Sequence, residues 1–222
     1  MTKKFLFAIV AAMMCASLSA QIPAEVKAVL KQCEQKMDNP AGMEVDLKLR
    51  TSVLMFKING TMKVYSKGDK EFTKLTMSAM GENMDEESGF DGVQEWKFKP
   101  GRKATKKHPA VADSLIITKA AKKSKSDFSI ELDMEDDYRK ATMKEKDGLY
   151  VITFTEPKKK DDDTPKKMVV KIAKNTMLFH SLETKISIMS VRLTATHYKV
   201  GVSDDVFKLD PKKYPNAVVV RK

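Results

Sequence analysis

The segment 43–50, MEVDLKLR, decides the fold class. Apolar and charged residues alternate along it without a break, which is the period-two pattern of a β-strand that buries one face and leaves the other in water. The same alternation returns in later segments of the chain: 72–77, 93–98, 128–132, 150–154, 168–172, 182–189 and 191–200. Seven or more strands of this kind, with few helices, predict a mostly-β (α+β) protein built on an antiparallel sheet.

A hairpin is predicted directly after the first strand. Alternation continues through 54–58, is interrupted by Asn59-Gly60, and resumes at Met62 and Val64. Asn-Gly between two alternating runs is the strongest short hairpin signal, because both residues accept a positive φ. We therefore predict a two-residue turn at Asn59-Gly60.

The other connections carry weaker signals. Residues 78–88 are acidic and predict a loop, and the two glycines of 89–92 predict a turn. Segment 111–121 fits a short amphipathic helix, although Ile116-Ile117 within it would also suit a strand. The run KKKDDDTPKK at 158–167 predicts a solvated loop, because its adjacent aspartates lack the alternate spacing and the glycine of a calcium-binding loop.

One helix is predicted ahead of the first strand. Pro23 suits its first turn. The apolar residues that follow recur at helical spacing, namely Val26, Val29, Leu30, Cys33 and Met37. Asn39-Pro40 ends this helix, because the residue before a proline is driven out of the helical region.

Residues 1–20 have the layout of a cleavable signal peptide. Lys3 and Lys4 precede an unbroken apolar stretch at 5–14, and small residues lead up to Ala20. The apolar stretch is too short to span a bilayer as a stop-transfer helix. We therefore predict an exported protein that works outside the cytoplasm.

The mature chain is predicted to be one soluble domain, 21–222. Acylation at Cys15 is not expected, because two methionines stand directly before it where lipid modification requires small residues. No later segment reaches transmembrane length. Cys33 remains as a lone cysteine, so we expect it to be buried without a disulfide partner.

The positive charge does not indicate a nucleic-acid partner. The chain holds 41 Lys and Arg against 30 Asp and Glu, a formal charge of +11. These cations are nearly all lysines, and they alternate with acids and apolar residues instead of forming a stripe with stacking aromatics. Solvated lysine faces explain them better, and a weak attraction to anionic lipid or to an acidic partner is compatible with them.

Catalytic patterns are missing from the sequence. His108, His180 and His197 do not lie at metal-ligand spacing from one another, and no nucleophile or glycine-rich phosphate motif is present. We therefore predict no enzyme activity, no metal and no cofactor. The distinctive features are apolar alternation and 15 methionines, a flexible residue that fills cores and also lines surfaces that accept varied apolar ligands.

Three segments resemble a known family. They are FDGVQEWKF at 90–98, YVITFTEPK at 150–158 and VFKLDPKKYP at 206–215. In this order, after a signal peptide and a short helix, they are similar to the outer-membrane lipoprotein carrier family (LolA-like). One departure is clear: the family's Arg-Pro motif after the hairpin is replaced here by KGDKEF at 67–72, so no residue is assigned to ligand release.

The resemblance implies an open, curved antiparallel sheet, a half-barrel, with helices lidding an apolar concave face. Family members hold the acyl chains of lipoproteins in that concavity. For this chain the implied lipid-binding residues are Leu47, Leu49, Phe56, Met62, Val64, Leu75, Met77, Trp96, Phe98, Ile152 and Phe154. Since side chains two apart share a face of a strand, Trp96 and Phe98 are expected to lie together, with Trp96 reporting bound ligand by fluorescence.

The function implied is that of a periplasmic carrier. It would bind an acylated lipoprotein or another acyl lipid and ferry it toward the outer membrane, with an inner-membrane exporter and an outer-membrane acceptor as partners. The alternative is a non-carrier envelope module of the same fold, either a lipid or peptide sensor or a structural β-domain. Bound fatty acid or acyl lipid in the purified protein would distinguish the two.

Overall fold

A computed structural model describes residues 22–54, 56–79, 82–102, 104, 109–119, 137–158 and 165–222. Within them the chain forms one α-helix and one sheet of twelve strands. The elements are α1 (Ala24–Met37), β1 (Met43–Val53), β2 (Phe56–Lys67), β3 (Lys70–Ala79), β4 (Glu82–Phe90), β5 (Gln94–Lys99), β6 (Ser114–Lys119), β7 (Tyr138–Lys146), β8 (Leu149–Pro157), β9 (Lys167–Ala173), β10 (Phe179–Ile186), β11 (Met189–Val200) and β12 (Val218–Arg221). The predicted signal peptide at 1–20 and the alternating run at 128–132 lie outside the described residues, as does most of the predicted loop at 158–167.

Helix α1 forms where its apolar spacing predicts it. It begins after Pro23, carries Glu25 in its first turn, and ends where the Asp38 N–H donates to the Glu34 carbonyl. Pro40 follows two residues later and prevents a further turn. Its buried residues are Val26, Val29, Leu30 and Cys33, which form one stripe against the sheet.

The sheet is open and curved. Its strand order is β12-β6-β5-β4-β3-β2-β1-β11-β10-β9-β8-β7, so β12 and β7 are its two edge strands within the described residues. All neighbouring strands are antiparallel except β12 and β6, which pair in parallel. A bulge between Asp46 and Leu47 in the pairing of β1 with β11 adds local twist at the centre of the sheet. The prediction of a mostly-β protein built on an open, curved antiparallel sheet is confirmed; of the helices predicted to lid its concave face, the described residues contain one α-helix, α1.

The predicted turn at Asn59-Gly60 is wrong. Both residues lie inside β2, opposite Arg50 and Leu49 of β1, and the chain reverses between Val53 and Phe56 instead, which pair with each other. This register places Leu47 opposite Met62 and Val45 opposite Val64, so the apolar face of the hairpin stays continuous. Glycine is needed at position 60 because β3 comes close to it: a Cβ there would lie 2.8 Å from the Thr76 carbonyl oxygen.

The predicted acidic loop at 78–88 is also wrong, since β4 occupies 82–90. Its acids pair across the strands: Thr76 Oγ1 donates to Asp85 Oδ1 at 2.6 Å, and Lys74 Nζ lies 2.9 Å from Glu87 Oε1. These contacts let a charged segment form a strand.

Three smaller corrections concern the following segments. The turn predicted at 89–92 begins later, at Asp91, because Gly89 and Phe90 still belong to β4. The helix expected over 111–121 is replaced by strand β6, which agrees with the alternative for Ile116-Ile117. Strands β7 and β12 lie where no strand is predicted, since charged residues interrupt the alternation of β7 and β12 is short.

The sheet buries different faces in its two halves. We call the inner face the side that carries α1, and the outer face the opposite side. The inner cluster packs α1 against β1–β3 and β7–β11, and it includes Val45, Leu47, Ile152 and Phe154. The outer cluster lies on β3, β5 and β6 beneath the segment 203–217, which contributes Leu209, Tyr214 and Ala217.

Candidate functional site

The inner face carries one apolar row across most of the sheet. Residues directly opposite each other on neighbouring strands share a face, so the pairings trace the row strand by strand. From β3 to β7 it consists of Met77, Gly60, Leu49, Leu193, Leu182, Val170, Ile152 and Met143. The period-two alternation of eight strands thus places their apolar residues side by side.

Only part of this row is covered by α1 and the neighbouring strands. Val170 and Ile152 have no exposed surface, whereas other apolar residues of the inner face are half-buried. We call the half-buried set the inner strip, and it comprises Leu49, Met77, Met143, Met168, Leu182 and Leu193. Apolar surface left on a concave face is typical of a ligand-binding site, and three methionines allow the strip to adapt to flexible apolar ligands.

Three titratable side chains in the inner cluster, Cys33, Tyr138 and Tyr198, stay neutral near pH 7. Burial raises the pKa of the Cys33 thiol to about 12, so the thiol stays protonated near neutral pH. Burial also raises the pKa of Tyr198, whose hydroxyl donates to the Phe179 carbonyl. Tyr138 donates to the Pro165 carbonyl at 2.9 Å, and its pKa rises to about 12 for the same reason. The cluster therefore suits an apolar ligand rather than an ionised one.

Most of the residues assigned to lipid binding from the sequence lie on the inner face. Six of them are buried in the inner cluster: Leu47, Met62, Val64, Leu75, Ile152 and Phe154. Leu49 and Met77 are half-buried and belong to the inner strip. Phe56 shares the inner face by register, but it lies at the tip of the β1–β2 hairpin with 55% of its surface exposed.

Trp96 and Phe98 do not join this group. They share one face of β5, as expected, but that face is the outer one, since Trp96 lies in line with Gly89, Phe72 and Tyr65 across the sheet. The Trp96 ring centroid is 5.6 Å from that of Phe72 and 6.1 Å from that of Tyr214. Trp96 therefore closes the outer cluster and lies on the other side of the sheet from the inner strip.

Sequence reasoning missed four members of the inner strip: Met143, Met168, Leu182 and Leu193. Met168, Leu182 and Leu193 lie in segments that are predicted as strands, so their alternation could have assigned them to the face of Ile152. Met143 gives a weaker signal, because its neighbours in YRKATMKEK are charged or hydroxylated.

The described residues offer neither a metal cluster nor a membrane-spanning helix. Among them, no group of three or more His, Cys, Asp or Glu side chains could hold a metal ion. His180 lies on β10 and His197 is exposed on β11, while His108 falls outside the described ranges. No helix in the described part of the chain is long and apolar enough to cross a membrane.

Solved structures with this architecture match most of the chain. An uncharacterized conserved protein from Thermus thermophilus is 10% identical, and the match covers 89% of this chain and 99% of that one with a TM-score of 0.56. A LolA superfamily protein from Nitrosomonas europaea is 14% identical over 83% of this chain and 97% of its own, with a TM-score of 0.37. Lipoprotein LppX from Mycobacterium tuberculosis is 15% identical over 82% and 98%, with a TM-score of 0.47.

These comparisons concern the fold. The match to the Thermus thermophilus protein, with its TM-score of 0.56, supports the open-sheet fold. No family model matches the sequence, and no curated protein matches it either.

Proposed function

We propose that this protein is an exported carrier that binds the acyl chains of lipoproteins or lipids on the inner strip. The single observation that carries the proposal is the inner strip, a half-buried apolar set on a concave face that includes Met77, Met143 and Met168. Each buried CH₂ contributes roughly 0.8 kcal/mol, so a long acyl chain gains several kcal/mol even after part is lost to ordering. Half-buried side chains also suit reversible binding, which a carrier requires.

The proposed setting is the periplasm. The sequence of residues 1–20 supports export, and in this role the protein would receive its cargo from an inner-membrane exporter and pass it to an outer-membrane acceptor. The mature chain is expected to begin at Gln21 and to remain soluble without detergent. Intact-mass measurement on envelope extracts tests this, and a diacylglycerol adduct on Cys15 would contradict it.

Ligand binding is tested on delipidated protein. A fluorescent long-chain fatty acid is titrated below its critical micelle concentration, and acylated peptide is titrated by calorimetry. Met143→Asp should lower the affinity on the order of tenfold, because it places a charge in the apolar strip. Thr142→Asp is the matched control: Thr142 is the exposed neighbour on the same strand, on the outer face.

The outcomes separate the carrier from other modules. Loss of binding in Met143→Asp but not in Thr142→Asp supports the proposal. Absence of heat and of fluorescence change with wild-type protein would remove the carrier function and leave a structural or peptide-binding envelope module. Equal loss in both variants would place the ligand elsewhere.

A further inference from the structure

Two hairpin tips lie side by side at one end of the sheet. The first joins β1 to β2, where Val53 pairs with Phe56, and the second is the reversal at 187–188 between β10 and β11, where Ile186 pairs with Met189. They are adjacent because Val53 of β1 pairs with Met189 of β11. We call Val53, Leu54 and Phe56, together with residues 186–189, the tip end.

The tip end exposes large apolar side chains. Leu54 is 72% exposed, Phe56 55% and Ile188 57%. Among the described residues, the other exposed large apolar side chains are all valines, three of them on the edge strand β12. An apolar group clustered on one protruding end, next to polar residues, marks a contact with another apolar phase.

A basic cavity opens on the outer face directly behind the tips. Its volume is about 480 Å³, and its lining includes Arg50, Arg192, Lys57, Ser52, Ser190 and Asn59. By register these side chains share the outer face, with Arg50 opposite both Asn59 and Arg192, and Ser52 opposite both Lys57 and Ser190. The Ser52 and Ser190 hydroxyl oxygens are 2.5 Å apart at its floor.

The charges of this cavity are not balanced. Arg50 and Arg192 are cross-strand neighbours, an arrangement that like-charge repulsion disfavours. Glu183 is the acid in the lining, and it binds Arg192 at 3.1 Å and Lys171 at 2.8 Å. Within the described ranges no carboxylate lies at ion-pair distance from Arg50 or Lys57. The lining of the cavity therefore carries an excess of positive charge, which favours the binding of an anion.

We propose that the tip end docks on an anionic phospholipid bilayer. The three apolar tip side chains enter the interface, and the cavity behind them receives a lipid phosphate. Guanidinium groups bind phosphate oxygens in bidentate fashion, and serine hydroxyls and an asparagine amide supply further donors. Apolar tips next to cations match the order of layers in a bilayer, where acyl chains lie beneath phosphates. The chain's net charge of +11, which becomes +9 when Lys3 and Lys4 leave with the predicted signal peptide, adds attraction to such a surface.

Docking does not depend on whether the inner strip binds acyl chains. The strip lies on the inner face, whereas the cavity lies on the outer face of β1, β2, β10 and β11. Free phosphate would require the cavity alone, and the exposed apolar tips favour a bilayer over a small anion.

Vesicle flotation tests the proposal with delipidated full-length mature protein. We expect binding to phosphatidylcholine vesicles that contain phosphatidylglycerol, little binding to phosphatidylcholine alone, and a decrease with salt. The double variant Arg50→Gln/Arg192→Gln should weaken vesicle binding about tenfold or more, because each basic residue near the surface contributes severalfold. Leu54→Ser/Ile188→Ser should weaken it as well, because fewer apolar side chains can enter the membrane interface.

Matched controls use the far edges of the sheet. Lys144→Gln/Lys146→Gln makes the same charge change on β7, and Val218→Ser/Val219→Ser removes exposed apolar surface on β12. All four changes are at exposed positions, and circular dichroism verifies folding. Wild-type-like binding in both controls supports the tip end.

Three results would overturn the proposal. One is equal binding to vesicles with and without phosphatidylglycerol, and another is an equal loss in the control variants. The third is binding that depends on Arg50 and Arg192, is abolished by inorganic phosphate and is insensitive to the tip variants, which would assign a small-anion site instead. The fatty-acid titration of the Leu54→Ser/Ile188→Ser variant should match that of the wild type, so failure of docking and failure of acyl binding are distinguishable.

Discussion

Replacing Gly89 with alanine tests the packing of the outer cluster. A Cβ at Gly89 would lie 2.7 Å from Trp96 Cε2 and 2.8 Å from both Trp96 Cζ2 and Nε1. The indole cannot move away easily, because Trp96 is only 2% exposed and lies between Phe72 and Tyr214. Gly89→Ala should therefore force the sheet or the ring out of place.

The expected loss follows from two opposed effects. Overpacking of a core costs about 1–3 kcal/mol, whereas alanine in a strand gains up to about 1 kcal/mol over glycine. We expect a net decrease of about 1–2 kcal/mol in the free energy of unfolding, which corresponds to a fall in Tm of about 2–8 °C for a domain of this size. Urea titration, followed by circular dichroism and by the single tryptophan, measures it.

A double-mutant cycle identifies the cause. Trp96→Phe removes most of the atoms that the new methyl group would meet, so Gly89→Ala should cost little in that background. We expect a coupling of about 0.5–3 kcal/mol between the two positions. Additive losses, or a Gly89→Ala protein as stable as the wild type, would refute the packing inferred for Trp96.

Other predictions concern the same molecule. The fluorescence emission of Trp96 should be blue-shifted in delipidated protein and unchanged on adding a long-chain fatty acid, since the ring lies on the other side of the sheet from the inner strip. A change in the emission maximum on adding the fatty acid would contradict this. Gly60→Val should lower the Tm, because of the Thr76 carbonyl 2.8 Å from a Cβ, whereas Asn59→Thr should be neutral or stabilising in a thermal melt, as a strand position favours threonine and an Asn-Gly turn would not. Burial raises the pKa of Cys33 from an ordinary 9.0 to about 12 in the folded state. The thiol therefore ionises first in the unfolded state, and the free energy of unfolding should fall as pH rises from about 9 to about 12. Urea titrations across that range should show that this free energy falls less steeply with pH in Cys33→Ala.

Local periodicity was sufficient to predict α1 and most strands. The stripe of Val26, Leu30 and Cys33 and the alternation of 43–50 each require only neighbours in sequence. Strand β4 could not be predicted in this way, because its acids are stabilised by Lys74 and Thr76 on another strand. Such pairing depends on register, which a single segment does not contain.

The turn predicted at Asn59-Gly60 and the assignment of Trp96 and Phe98 to the lipid-binding face were wrong for the same reason: both depend on contacts between distant segments. Asn59-Gly60 has the chemistry of a hairpin turn, but the match of Val45 to Val64 and of Leu47 to Met62 outweighs it. Alternation likewise shows that Trp96 and Phe98 share a face without showing which face carries α1. That assignment depends on the whole strand order, in which the buried side changes between β3 and β5.

The pairing of β1 with β11 has a consequence for the order in which the protein can form. Strands β2 to β6 and β7 to β10 are joined to sequence neighbours, so each group can assemble from local hairpins as the chain emerges from its N-terminus. The β1–β11 ladder, with Met43 opposite Val200, must wait until the last long strand has been made. Until then β1 has a free edge, and slow pairing of distant segments is where aggregation competes with folding. Because Leu49 and Leu193 meet in this ladder, the inner strip is completed only in that final step.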